Sequence, residues 1–135
     1  MGPLTGKRII EIGGIGPGPF CGMLFADMGA EVILVENPNA SGVATRSDAD
    51  SRFRIVDRGK KSITLDLKQA AAVDIVLRLV KKADGLIEGF RPGVMERLGL
   101  GPDRCLDANP ALVFGRMTGW GQHGPLSHAA GHDLN

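Results

Sequence analysis

Two short β-branched runs near the amino terminus place the strongest constraint on this chain. Residues 8–12 read R-I-I-E-I and residues 31–35 read E-V-I-L-V. Apolar runs of this length, bounded by turn residues, read as buried strands. Gly13 and Gly14 end the first run, and Pro17 suits the first position of a helix, where a missing N–H costs nothing. Phe20, Cys21, Leu24, Phe25 and Met28 then recur at helical spacing, and Gly29 supplies a left-handed helix end. A crossover of this length joins parallel strands, so a right-handed strand–helix–strand unit is predicted.

The alternation continues. Residues 37–61 are polar and aperiodic, which predicts a long functional loop with one helical turn. A short strand is expected at 61–65. Asp66 is placed to cap a helix running to Lys82, with Val73, Val76, Leu77 and Val80 as its apolar stripe and Lys81 and Lys82 complementing its dipole. A strand at 85–88, short helices at 92–98 and 102–109 and a strand at 112–115 follow. From Met117 the chain is loop-rich. The predicted fold class is α/β, a Rossmann-like parallel sheet with helices on both faces. The loops at 13–19, 37–60, 89–93 and 117–132 all follow strands, so they should gather at one sheet edge.

A chain of 135 residues makes at most one domain. A net charge of +1 gives no global attraction for nucleic acid, and the absence of Tyr argues against base-stacking platforms. No nucleic-acid or membrane partner is expected, since no run is long enough to span a bilayer. Cys21 and Cys105 show no CxxC spacing and make no disulfide framework. The expected location is cytoplasmic, with peroxisome or mitochondrion open for a eukaryotic source.

Several segments carry candidate chemistry. The turn from Gly13 to Pro19 fails the dinucleotide fingerprint, because Pro19 falls at the third glycine and two prolines remove amide donors. It reads as a tight strand-to-helix turn; a functional reading, in which its glycines let a thioester or acyl chain approach the backbone closely, stays open beside it. Residues 46–61 hold Arg46, Arg52, Arg54, Arg58, Lys60 and Lys61 against Asp48, Asp50 and Asp57, a local +3. Such a run is commonly a solvated face; it also suits the phosphates of coenzyme A. Phe90-Arg91-Pro92-Gly93, with Arg97 beyond, offers an aromatic for adenine and cations for phosphate, or simply a capped short helix. His123, His128 and His132 match no common zinc spacing, and no G-x-S-x-G elbow is present, so neither a metal site nor a serine hydrolase is expected.

Five ordered segments, G-I-G-P-G-P-F, R-G-K-K-S-I-T-L-D-L-K, E-G-F-R-P-G-V-M-E-R-L-G-L-G-P, R-M-T-G-W-G-Q-H-G-P and G-H-D-L-N, together resemble the class III CoA-transferase family. Within it the likeness is closest to the α-methylacyl-CoA racemase branch. The resemblance implies that residues 1–135 are an incomplete Rossmann-like, CoA-binding part of the family's large domain. It implies that His132 moves the proton on one face of a thioester α-carbon and that the peptide N–H of Asp133 meets the developing enolate oxygen. Leu65, Lys68, Gly89, Phe90, Arg91 and Arg97 match positions lining the adenine and phosphate end of coenzyme A, and Ile15, Gly16 and Pro17 match the border of the acyl chain. The substrate implied is an acyl-CoA thioester, with coenzyme A as its carrier and no redox or metal cofactor.

Two departures accompany the likeness. The family's second catalytic aspartate lies farther along than Asn135, and Asn37 replaces a basic residue that meets a CoA phosphate in many relatives. The expectation is therefore a homo-oligomer, an interlocked dimer in the longer relatives, whose present portion binds without turnover and self-associates through uncovered apolar surface. CoA transfer between carboxylic acids through an acyl-aspartate and a non-catalytic CoA-binding module stay open as alternatives.

Overall fold

A computed structural model describes residues 2–38 and 55–131. Five strands form one parallel sheet: β1 (Arg8–Ile12), β2 (Glu31–Glu36), β3 (Lys60–Thr64), β4 (Gly85–Glu88) and β5 (Val113–Arg116). Their spatial order is β3-β2-β1-β4-β5. The chain thus steps outward from β1 to β3, then returns to the other side of β1. The β1–β4 boundary is the topological switch point, where open α/β sheets leave a crevice beyond their carboxyl ends. Ile10 fixes the register on both sides, opposite Ile33 of β2 and Leu86 of β4.

Helices cover both faces, as the alternating runs predict. Helix α1 (Pro17–Asp27) packs Cys21, Phe25 and Ala26 with Ile9, Val32 and Ile87. On the other face, α2 (Ala70–Val80), α3 (Val94–Arg97) and α4 (Pro102–Ala108) enclose the larger core around Ile10, Ile12, Val35 and Leu86. The α2 stripe delivers Val73, Val76 and Val80 to that core. Burial of each valine contributes about 1.5–3 kcal/mol. Asn109 Nδ2 donates to the carbonyls of Val80 and Ala83, tying the end of α4 to the end of α2.

Gly29 ends α1 as expected. With φ +94°, its N–H reaches the Ala26 carbonyl while the Ala30 N–H reaches that of Phe25, the Schellman pairing.

Three local readings need correction. Asp66 does not cap the following helix. Its carboxylate accepts the Lys68 N–H two residues on, making an Asx turn, and α2 starts only at Ala70 behind Gln69. The apolar positions of α1 do not form one buried stripe: Phe20, Leu24 and Met28 face outward, and the buried positions are Gly18, Gly22 and Met23. The helix presents glycine to the sheet because the Glu11 carboxylate occupies that space; a Cβ at Gly22 would overlap it. Strand β3 also starts earlier than its apolar residues suggest, at Lys60, after a 3-10 turn at Ile55–Asp57. Within the described part of the long loop, that turn is the helical one.

Candidate functional site

The carboxyl ends of the strands carry most of the residues singled out from sequence. Ile15, Gly16 and Pro17 follow β1. Ile15 is exposed, Gly16 caps α1 with φ +73° and ψ −124°, and Pro17 is its first residue. Only glycine adopts the Gly16 conformation readily. Gly89, Phe90 and Arg91 follow β4, so the two groups flank the switch point. Phe90 packs partly into the main core, while Arg91 is exposed. Leu65 follows β3, its N–H bonded to the Glu36 carbonyl and its side chain against the core.

Lys68 and Arg97 are brought together. They line one cleft of about 450 Å³ with Leu67, Val73, Leu98 and Arg104, at the amino-terminal half of α2. Asp74 is the acid in the lining, 4.0 Å from the Arg104 guanidinium. Three cations against one acid leave the cleft positive, and the uncapped start of α2 adds the positive end of a helix dipole. Gly93, at φ +81°, turns the chain into α3, and a side chain there would press on the Arg97 guanidinium. Among the described residues, Lys68, Arg91 and Arg97 form no salt bridge, although the Arg97 charge helps to lower the neighbouring Glu96 carboxyl.

The cations of the basic segment behave differently. Arg46, Arg52 and Arg54 lie outside the described residues. Arg58 grips Asp27 of α1 through two nitrogens. Lys61 pairs with Glu31 at 2.7 Å. Lys60 is buried against Glu11 at 2.6 Å and donates to the Pro19 carbonyl. Arg58, Lys60 and Lys61 therefore hold α1 and the sheet together; the local positive charge that suggested phosphate contacts is neutralised at these three positions. Burial raises the Glu11 carboxyl pKa, opposed by Lys60, and the Cys21 thiol beside it is raised by burial and by Glu11.

His132 and Asp133 lie outside the described residues. The residue before them is anchored: Gly131 packs backbone to backbone on Gly119, and Trp120 Nε1 donates to the Ala130 carbonyl at 3.1 Å. The segment from Met117 thus folds back on its own start, just beyond β5. Among the described residues no cluster of three metal-binding side chains occurs, and no helix is long and apolar enough to cross a membrane.

The sequence profile of CoA-transferase family III matches residues 4–135, nearly the whole chain. The chain belongs to this family. It is 45% identical over 132 residues to the α-methylacyl-CoA racemase of Mus musculus, covering 98% of this chain and 32% of that protein. It is 42% identical over 136 residues to a succinyl-CoA–D-citramalate CoA-transferase of Chloroflexus aurantiacus, covering 96% and 34%. Among solved structures, a CaiB/BaiF family protein of Brucella suis superposes with a TM-score of 0.88 at 34% identity, over 98% of this chain and 38% of that one. The chain spans about a third of the length of these relatives. The parallel sheet with helices on both faces is therefore shared with the matched part of a family III structure, and both racemases and CoA-transferases stand among the relatives.

Arg104 was not singled out from sequence. Its signal is a cation in the first turn of α4, where the helix dipole disfavours positive charge.

Proposed function

We propose that this chain is the coenzyme A-binding portion of an enzyme that epimerises 2-methyl-branched acyl-CoA thioesters. The observation that carries the reading is the convergence of Lys68, Arg97 and Arg104 on one cleft beside the start of α2. Coenzyme A presents a 3′-phosphate and a pyrophosphate, and charge-assisted bonds from arginine suit both. Phe90 and Arg91, beside the switch point, would hold the adenine end. The glycine turn at Ile15, Gly16 and Pro17 would border the acyl chain.

The chemistry follows from the thioester. Its α-hydrogen is acidic because the resulting enolate spreads its charge onto oxygen. Histidine side chains as a class exchange protons near neutral pH, which suits His132 to take or return that proton on one face. The Asp133 N–H would donate to the enolate oxygen, a fixed dipole aimed where charge develops. Inversion needs a second proton carrier on the opposite face. Asp133 cannot fill that role as the immediate neighbour of His132, so the second carrier is expected from another residue of the enzyme. Identity to the mouse racemase and the Gly131-His132-Asp133 run favour epimerisation over CoA transfer, whose acyl-aspartate route does not call for this histidine.

Proton exchange tests it. In deuterated water, a chain extended to the length of its relatives should invert the α-carbon of a 2-methylacyl-CoA with incorporation of deuterium, and His132→Ala should abolish the inversion. Inversion that survives His132→Ala, or CoA transfer to a free carboxylate without inversion, would replace the racemase reading. No exchange and no transfer, with CoA still bound, would leave a binding module.

A further inference from the structure

Glu88 ends β4 with its side chain 1% exposed, an ionisable group placed where the sheet opens into the candidate site. Both carboxylate oxygens are used. Oε2 accepts the Phe90 N–H at 2.7 Å, and Oε1 accepts Arg116 Nε at 3.0 Å. Arg116, at the end of β5, extends the chain of contacts: its Nη2 donates to Glu96 Oε1 at 2.8 Å, and its guanidinium lies 5.8 Å from the Phe114 ring centre. Glu96 immediately precedes Arg97 on α3. The Glu88 backbone takes part as well, its carbonyl accepting the Met117 N–H at 2.8 Å. Three segments that leave the sheet separately are thereby joined: the turn carrying Phe90 and Arg91, the helix carrying Arg97, and the loop that runs from Met117 to Gly131.

The sheet does not require this arrangement. The β4–β5 ladder is complete without these side chains, and a leucine at position 88 would bury more readily than a carboxylate. A buried carboxylate holds its place only when its oxygens are satisfied. Here the partners are an amide and a guanidinium that fix loop geometry.

We propose that Glu88 is a positioning residue for the candidate coenzyme site, acting through the Phe90 amide and through Arg116 to hold Phe90, Arg91 and Arg97 in one arrangement. The proposal rests on the function proposed above. Glu88 itself touches no ligand on this reading; it sets where the ligand-facing residues stand. Arg116 is the coupling element. A lysine there would keep the charge but could not reach two carboxylates with a planar fork.

The test combines amide exchange of the ligand-free 135-residue chain with titration of coenzyme A. Glu88→Gln keeps the size but turns one acceptor into a donor. The Phe90 amide is expected to exchange at least about tenfold faster in this variant, with β1 and β2 amides unchanged, and CoA affinity should fall about tenfold. Arg116→Lys, at a less buried position, guards against a Glu88 variant that fails to fold and should show the same pattern more weakly. Unchanged Phe90 exchange in both variants would overturn the tether. Faster Phe90 exchange with unaltered CoA affinity would overturn the positioning role and leave a structural one. If wild-type chain does not bind coenzyme A while its Phe90 amide is protected as described, the proposed function fails and the positioning role falls with it, although the tether stands.

Discussion

Lys60 Nζ on β3 lies 2.6 Å from Glu11 Oε2 on β1, with both side chains 1% exposed and β2 running between the two strands. The pair closes the space beneath α1, and the same lysine binds the Pro19 carbonyl in the first turn of that helix. Removing one partner leaves a buried charge uncompensated. Lys60→Met is expected to destabilise the fold by about 3–5 kcal/mol, whereas Glu11→Met combined with Lys60→Met should recover most of the loss. Urea unfolding of the two variants decides it. Equal losses in the single and double variants would contradict this role for the pair.

The two buried glycines of α1 should respond in opposite directions. A methyl group at Gly22 overlaps the Glu11 carboxylate, whereas one at Gly18 meets nothing within 4 Å. Gly22→Ala is expected to cost about 1–3 kcal/mol by overpacking. Gly18→Ala should be neutral or stabilise by up to about 1 kcal/mol through helix propensity. Thermal melts of both would show the split.

The cysteines differ in accessibility. Cys105 is fully buried, its thiol donates to the Leu100 carbonyl at 3.3 Å, and burial pushes its pKa up to about 11. Since the thiolate is the reactive form, an aromatic disulfide reagent at pH 8 should leave Cys105 untouched until the chain unfolds. Cys21 is half-buried and raised by burial and by Glu11, so it should react, but more slowly than a free thiol. Two thiols reacting at once at the free rate would contradict the packing.

Stability should fall in acid. The Asp84 carboxyl lies below the usual range because it accepts the Arg8 N–H and pairs with Lys7. Asp27 is lowered by Arg58, and Glu31 by Lys61 and Arg8. A carboxyl lowered in the folded state contributes stability above its unfolded pKa, about 4, and loses it as pH falls through the folded value. Glu11 has the opposite sign: raised by burial, its contribution is present below about 4 and fades as pH rises through its folded value. Urea midpoints followed from pH 7 downward should therefore drop below about pH 4, and Asp84→Asn should flatten that drop.

The sheet was legible because buried β-branched runs alternate with helical spacings, and the parallel order follows from crossover length. What escaped depended on partners across the sheet. That α1 turns Gly22 inward and Phe20 outward could not be read without knowing that Glu11 and Lys60 meet above β2. The charge of residues 46–61 looked available until Arg58, Lys60 and Lys61 were seen paired with Asp27, Glu11 and Glu31. Asp66 resembled a helix cap because the Asx turn and the N-cap share residue preferences. Lys68 was found by resemblance alone and Arg97 also by its place beyond Phe90 and Arg91; Arg104 and the Glu88–Arg116 tether needed the fold, since their neighbours are distant in sequence.

Coenzyme A and its 3′-dephospho form should be titrated calorimetrically into the 135-residue chain, wild type and carrying Lys68→Ala with Arg97→Ala. Each charge-assisted contact is worth about 1.5–3 kcal/mol, or roughly tenfold to hundredfold in affinity. Coenzyme A should bind saturably, weakened by at least about tenfold in the double variant and by added salt, with the dephospho form bound less tightly by wild type. Binding of coenzyme A that is indifferent to both substitutions, or no binding at all, would contradict the assignment of this cleft.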